Sequence, residues 1–296
     1  MEINEFAQKV RRAVEKELGG AYRTELREVR KNNGVLLHGL LILSPERNVV
    51  PTIYLETFYA AYEDGVTFGE VLGRILEIYH EETPRGNIDM EFFKSFDKIR
   101  DRICYRLVNR QNNEELLRDI PYVEFLDLAI CFYYAYSGRL LGEGTILIHN
   151  SHLELWNVKI KDLMNLAREN TPRLFPGRLM PMRDVLGELM DIHGDCCPGQ
   201  EIPLHILTNV KRTYGASCIL YPDMLKKIGE RKEKGFYMIP SSVHEVLILE
   251  ETGIEAPEDM KKMIHEVNRL HVAAEEVLSD SLYYYDFKTK AVRIIL

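Results

Sequence analysis

Between Gly215 and Asp286 the chain alternates short apolar runs with helical periodicity, and proline or glycine bounds most segments. That punctuation narrows the possible folds more than any other feature. Ala216 to Tyr221 is a short apolar segment, and Pro222 lies in the first turn of a helix that Gly229 weakens and Gly235 closes. Phe236 to Ile239 and Val243 to Leu249 have strand character around Pro240-Ser241-Ser242. Pro257 opens a long helix with Met260, Met263, Ile264, Val267, Leu270, Ala274 and Val277 on one apolar face. Ser281 to Tyr285 and Ala291 to Ile295 then close a hairpin around Asp286-Phe287-Lys288-Thr289. With a further strand at Pro203 to Leu207, the pattern predicts a mixed sheet packed by two or three helices.

The first part of the chain reads as a second α+β lobe. Phe6, Val10, Val14 and Leu18 recur at helical spacing over residues 5–18, and Gly19-Gly20 stops that helix. Strand-like runs at Ala21 to Arg30 and Val35 to Leu43 flank Asn32-Asn33-Gly34, residues that accept left-handed backbone, so a hairpin is expected. Pro51 to Glu56 is a third strand that leads into a short aromatic helix through Tyr62. Thr67 with Glu70 forms a capping box ahead of a helix that buries Leu72, Ile75, Leu76 and Tyr79.

In the middle, Ile99 to Val108 fits strand or helix, and Phe125 to Tyr136 fits one buried strand. Gly138 to Gly144 is a hairpin or linker, and Thr145 to His149 a strand. Asn157 is placed to cap a helix to about Arg168 that Thr171-Pro172 ends. The fold class is therefore α+β, with mixed β-sheets packed by amphipathic helices in two lobes, 1–140 and 141–296.

Bulk properties exclude several classes. The 296 residues are 46% apolar and 28% charged, the balance of a folded chain. A formal net charge of −8 argues against general nucleic-acid binding, which needs a cationic surface. Arg11, Arg12, Arg23, Arg27, Arg30 and Lys31 crowd the N-terminal segment, but Glu15, Glu17, Glu25 and Glu28 interleave with them, the pattern of a mixed solvated face. Local nucleic-acid contact through Arg11, Arg12, Arg27 and Arg30 is a third functional reading. The opening Met1-Glu2-Ile3-Asn4-Glu5 has no basic or apolar leader, and no apolar run is long enough to span a bilayer. Five irregularly spaced cysteines do not form a disulfide framework, so a reducing cytoplasm and no membrane partner are expected.

Signature chemistry is incomplete throughout. His244-Glu245 and His265-Glu266 begin like a zinc protease, but Ile248 and Arg269 stand where the second histidine is needed. His193, Cys196 and Cys197 are soft ligands short of a full zinc set, so no metal is assigned. Phosphate-binding glycine loops are absent and no cofactor is implied. The enzyme alternative is a cysteine hydrolase with Cys218 as nucleophile and His244 as base, oriented by Asp223, Glu245 or Asp280. Against it, Ile219, Leu220 and Tyr221 give Cys218 the setting of an inert core thiol.

The preferred reading is a noncatalytic binding or interaction protein whose partner is a protein or small molecule. Its polar surface would comprise Ser241, Ser242, His244, Asn268, His271 and Asp280, with His271 and Glu275 sharing a helix face. Arg173 would project from a stiff loop between Pro172 and Pro176.

Several stretches are shared with one family. Thr145 to Asn150 with Leu155-Trp156, Asn170 to Pro176, Gly215 to Pro222, Pro240 to Ile248, Glu275 to Tyr284 and Pro51 to Tyr54 resemble a domain-of-unknown-function family of anaerobic Gram-positive bacteria. The likeness covers nearly the whole chain. More distantly, residues 155 to 295 resemble the second half of another uncharacterised bacterial family. There a histidine also precedes a Val-Leu-Ile strand, and Cys218 has no counterpart. Neither resemblance implies a reaction or assigns a functional residue.

Overall fold

The computed structural model describes residues 1–84, 86–138, 142–184, 204–251 and 257–295. The chain divides into two compact units: Met1–Phe92 with Ser137–Gly144, and Phe93–Tyr136 with Thr145–Leu296.

In the first unit, α1 (Ile3–Leu18) buries Phe6, Ala7, Val10 and Val14, the stripe that its periodicity demands, and ends at Gly19 with φ 77°. Strands β1 (Arg23–Arg30) and β2 (Leu36–Leu43) pair antiparallel from Arg23↔Leu43 to Arg30↔Leu36. The turn between them places Asn33 at φ 59°, a conformation that asparagine tolerates better than most residues. Strand β3 (Thr52–Tyr54) adds to β2 with Leu40 opposite Ile53. Helix α2 (Glu56–Glu63) follows, then α3 (Phe68–Glu82), whose Thr67–Glu70 capping box is present in full. Leu40, Ile42, Ile53, Leu55, Val71, Ile75 and Tyr79 complete one core with the α1 stripe. Each large aliphatic side chain sealed there contributes about 1.5–3 kcal/mol.

The second unit opens on the short α4 (Phe96–Ile99) and then β4 (Ile103–Asn109), which resolves the strand-or-helix ambiguity. After α5 (Glu114–Asp119) come β5 (Tyr122–Phe125) and β6 (Leu128–Gly138). The greasy run expected as one buried strand is that strand from Leu128 on, and its first three residues end β5 and form the turn of a hairpin. Its two-residue turn is Leu126, at φ 55°, and Asp127, the lone acid of the run. Strand β7 (Gly142–Leu147) also pairs with β6, giving the order β4-β6-β5 with β7 off that path.

Asn157 does not start a helix. It ends α6 (Asn150–Trp156) in left-handed backbone, and α7 (Ile160–Leu174) follows. Pro172 lies inside α7 rather than ending it, because the last turn is closed by Phe175 N–H on the Thr171 carbonyl at 2.8 Å. The Asn170–Pro176 stretch is thus mainly a helix end, not a stiff loop.

The remaining strands make one sheet: β8 (Gly177–Pro181), β9 (Leu204–Asn209), β10 (Phe236–Ser242), β11 (Glu245–Glu250), β12 (Leu282–Asp286) and β13 (Ala291–Ile295). They run in the order β13-β12-β10-β11-β9-β8. Strand β8 had no sequence expectation. Every pair with a described register is antiparallel, so the sheets are antiparallel where a mixed arrangement was expected. The Asp286 carboxylate accepts from Lys288 and Thr289 N–H and turns the closing hairpin.

Between β9 and β10, Gly215–Leu220 forms a 3₁₀ turn and α8 spans Met224–Lys232. Helix α9 (Pro257–His271) packs Met260 and Ile264 against Ile239 and Leu282. It stops at His271, short of the expected end. The reason lies in backbone pairing: Val243 N–H donates to the Glu276 carbonyl, Leu278 N–H to Ser241 and Ser279 N–H to Pro240. Residues 276–279 therefore run along the end of β10 instead of continuing the helix. No helix among the described residues is long and apolar enough to cross a membrane.

Candidate functional site

The residues singled out in the sequence meet where the β10–β11 turn lies against residues 276–280. His244 belongs to that turn, not to a strand as expected, because the register between β10 and β11 shifts between Ile239 and Ser242. Ser242 Oγ accepts from His244 N–H at 3.1 Å. Gly215 lies beneath: a Cβ there would collide with Thr208 Oγ1 and the His244 carbonyl oxygen. Only glycine lets the two backbones approach this closely. Thr208 Oγ1 then donates to that same carbonyl at 2.7 Å and holds the turn down.

Both ring nitrogens of His244 are engaged. Nδ1 accepts from Tyr214 N–H at 3.3 Å, which leaves the neutral ring's proton on Nε2, 3.5 Å from Glu276 Oε1. The Tyr214 ring lies nearly parallel to the imidazole, at 10° with centroids 6.0 Å apart. On β4, Arg106 donates from Nη1 to Tyr214 Oη at 2.8 Å. Its guanidinium carbon lies 4.9 Å from the tyrosine ring centre. A second histidine–carboxylate pair lies four residues along the same segment, His265 Nδ1 to Asp280 Oδ2 at 3.1 Å.

The other candidates divide by exposure. Ser241, Ser242 and Asn268 are buried. Asn268 Nδ2 donates to the Ser279 carbonyl at 3.0 Å and to Asp280 Oδ1 at 2.8 Å, so it braces the segment after α9. His271 and Asp280 are exposed. Because α9 ends at His271, His271 and Glu275 do not share a helix face. Arg173 is exposed, and its Nη2 donates to the Asp101 carbonyl and to Asn170 Oδ1. On the outer side of α9, Met263, Val267 and Leu270 are 52%, 40% and 56% exposed, so three of the five apolar-face residues that fall within the helix point away from the core.

Cys218 is sealed. Its Sγ donates to the Thr208 carbonyl at 3.2 Å, and burial pushes the thiol up to about 12. A thiol held neutral, hydrogen-bonded to a backbone oxygen and not to an imidazole, lacks the thiolate that attack requires. His244 in turn has no free lone pair to serve as its base. Cys104 and Cys131 are likewise free, buried and pushed up to about 12 by burial. Among the described residues no three or more histidines, cysteines or acids are grouped to hold a metal ion. His193, Cys196 and Cys197 lie outside the described residues. Of the N-terminal arginines, Arg23 and Arg27 both pair with Glu25.

Sequence reasoning passed over Asp127, Arg106, Tyr214 and Glu276. The Asp127 carboxylate accepts from Ser279 Oγ at 2.6 Å, Ser281 Oγ at 3.0 Å and the Tyr283 hydroxyl. Burial, then the adjacent Asp127 charge, push the Tyr283 phenol well above its ordinary range. The signal was present: one acid in a greasy run, and hydroxyls at every second position from 279 to 283.

Fold and site together define an α+β protein of antiparallel sheets, with described thiols sealed in its cores and two exposed-edge histidines facing carboxylates. The chain belongs to DUF5688, a family of unknown function, whose model matches residues 3–287. No curated protein and no solved structure matches the chain.

Proposed function

We propose that this chain is a noncatalytic binding protein, working in the cytoplasm, whose contact surface follows residues 276–280 and the neighbouring end of α9. One observation carries the reading: His244–Glu276 and His265–Asp280 are two part-exposed histidine–carboxylate pairs on a single segment, their partners oriented by internal hydrogen bonds. Side chains fixed before contact lose little entropy on binding. His271 and the outer apolar side chains of α9 border the pairs, and a mixed polar and apolar surface suits a protein contact. The three free, buried thiols fit a reducing compartment.

Two measurements test this. Iodoacetamide at neutral pH should leave Cys218 unlabelled in the folded protein and label it in urea. Rapid labelling without denaturant would sink the noncatalytic half of the reading. A photo-crosslinking side chain at His271 should give a discrete adduct that Asp280→Lys weakens, whereas the same group at exposed Leu36 should not. Identical adducts at both positions would remove the contact surface.

A further inference from the structure

Arg106 sits on β4 opposite Cys131 of β6, in a sheet otherwise apolar at that point. A guanidinium carries a permanent charge and five donors in a rigid fork. The contacts on Arg106 are few. Nη1 donates to the Tyr214 hydroxyl, the guanidinium carbon lies 4.9 Å from that ring's centre, Nε is buried with no acceptor, and no carboxylate pairs with the group among the described residues. Partly buried charges are ordinarily paired, because leaving one uncompensated is costly. Tyr214 is part-exposed. Its oxygen accepts from Arg106, but among the described residues its own O–H finds no acceptor. Two donor groups thus stand 2.8 Å apart with N–H and O–H capacity unspent.

The rest of the cluster fixes this pair in place. Tyr133 packs 5.5 Å from the Tyr214 ring, His244 lies parallel to that ring, and the His244 nitrogens are occupied by Tyr214 N–H and Glu276. His244 is therefore a positioning residue for Tyr214, and the donors left for a ligand belong to Arg106 and Tyr214.

We infer that Arg106 and Tyr214 bind an oxyanion, the carboxylate or phosphate group of a ligand. A guanidinium charge and a phenol hydroxyl side by side complement two oxygens of such a group, and charge-assisted bonds to it are the strong class. This names the chemistry of the binding function proposed above and rests on that reading.

The test titrates the full chain with sodium phosphate, sodium acetate and sodium chloride at matched ionic strength, following the Arg106 Nε–H resonance. A saturating shift with phosphate or acetate, absent with chloride, is expected, and the salt that saturates tells a phosphate-bearing ligand from a carboxylate. Arg106→Lys replaces the fork with a point charge and should weaken binding roughly tenfold. Should that variant fail to fold, Tyr214→Phe keeps the ring, removes the O–H donor and should weaken binding several-fold. Equal, non-saturating shifts in all three salts overturn the site, as does unchanged affinity in folded Tyr214→Phe. Either failure leaves the His271 crosslinking result intact, so the two proposals fall separately.

Discussion

Gly215 shows how one residue can set the site. An alanine there must push apart the Thr208 hydroxyl and the His244 carbonyl, both pinned by their own bond. Gly215→Ala should therefore cost about 1–3 kcal/mol, the range for overpacking a filled site. It should also displace His244 from Tyr214. Urea unfolding reads the first effect and the His244 ring resonances the second. Unaltered resonances would mean that the glycine is dispensable. The thiols carry a second prediction at this scale. Cys104, Cys131 and Cys218 move from 9.0 to about 12 in the native protein. Below about 9 both folded and unfolded states keep these protons, and the thiols add no pH dependence. Above it the unfolded chain releases protons that the native state holds, so stability falls as pH rises toward 12. Each sealed thiol contributes about 1.4 kcal/mol per pH unit. Urea midpoints should drop between about pH 9 and 10, below the tyrosine range. Cys131→Ala should make the slope shallower, and a flat midpoint would contradict sealed thiols.

At the scale of elements, side chains from one segment finish the backbone of another. Asn170 donates to the carbonyls of Arg100 and Ile103, and Thr171 Oγ1 accepts from Tyr105 N–H, so the end of α7 covers the outer edge of β4. An edge strand needs such cover. Thr171→Val keeps the shape, orphans the buried Tyr105 N–H, and should cost about 1–3 kcal/mol, measurable by denaturant unfolding. Asp127 does the corresponding work for the entry to β12. Asp127→Ala strands three hydroxyls at once and should cost about 3 kcal/mol or more. A loss below that of Thr171→Val would show that water replaces the carboxylate. The helix and hairpin of the first unit were legible because local signals suffice there: the Phe6–Val14 spacing, Asn33-Gly34 and the Thr67–Glu70 box. The Asp127 turn, the early end of α9 and the retention of Pro172 were not. The first two depend on partners far along the chain, Ser279 and Tyr283 for Asp127 and residues 240–243 for the segment after α9. The third depends on the backbone bond from Phe175 N–H to Thr171 that closes the last turn around Pro172. Of the site, His244, Asn268 and Asp280 were visible by type, whereas Arg106 and Tyr214 gain meaning only from their proximity.

For the whole molecule, the question is where the chain divides. The sequence places a boundary near residue 140, while the fold groups 93–136 with the C-terminal residues. Core composition separates the two possibilities. Phe6, Val10, Leu40, Ile42, Ile53, Leu55, Val71 and Ile75 lie in one cluster drawn entirely from residues before 92. A fragment of residues 1–92 thus carries its complete core, and it should unfold in a single cooperative transition. A fragment ending at 140 adds β4, β5 and β6 without what completes them. Asn170 and Thr171 no longer cover β4, Asp127 loses its three hydroxyl donors, and Cys104, Tyr133 and Ala135 lose Leu174, Phe175 and Tyr214. Exposed apolar strands with an open edge pair with other chains. The longer fragment should therefore aggregate or bind a hydrophobic dye, with amide exchange protection confined to residues before 92. If instead 1–140 unfolds as one unit, with β4 and β6 as protected as α1, the division belongs near 140.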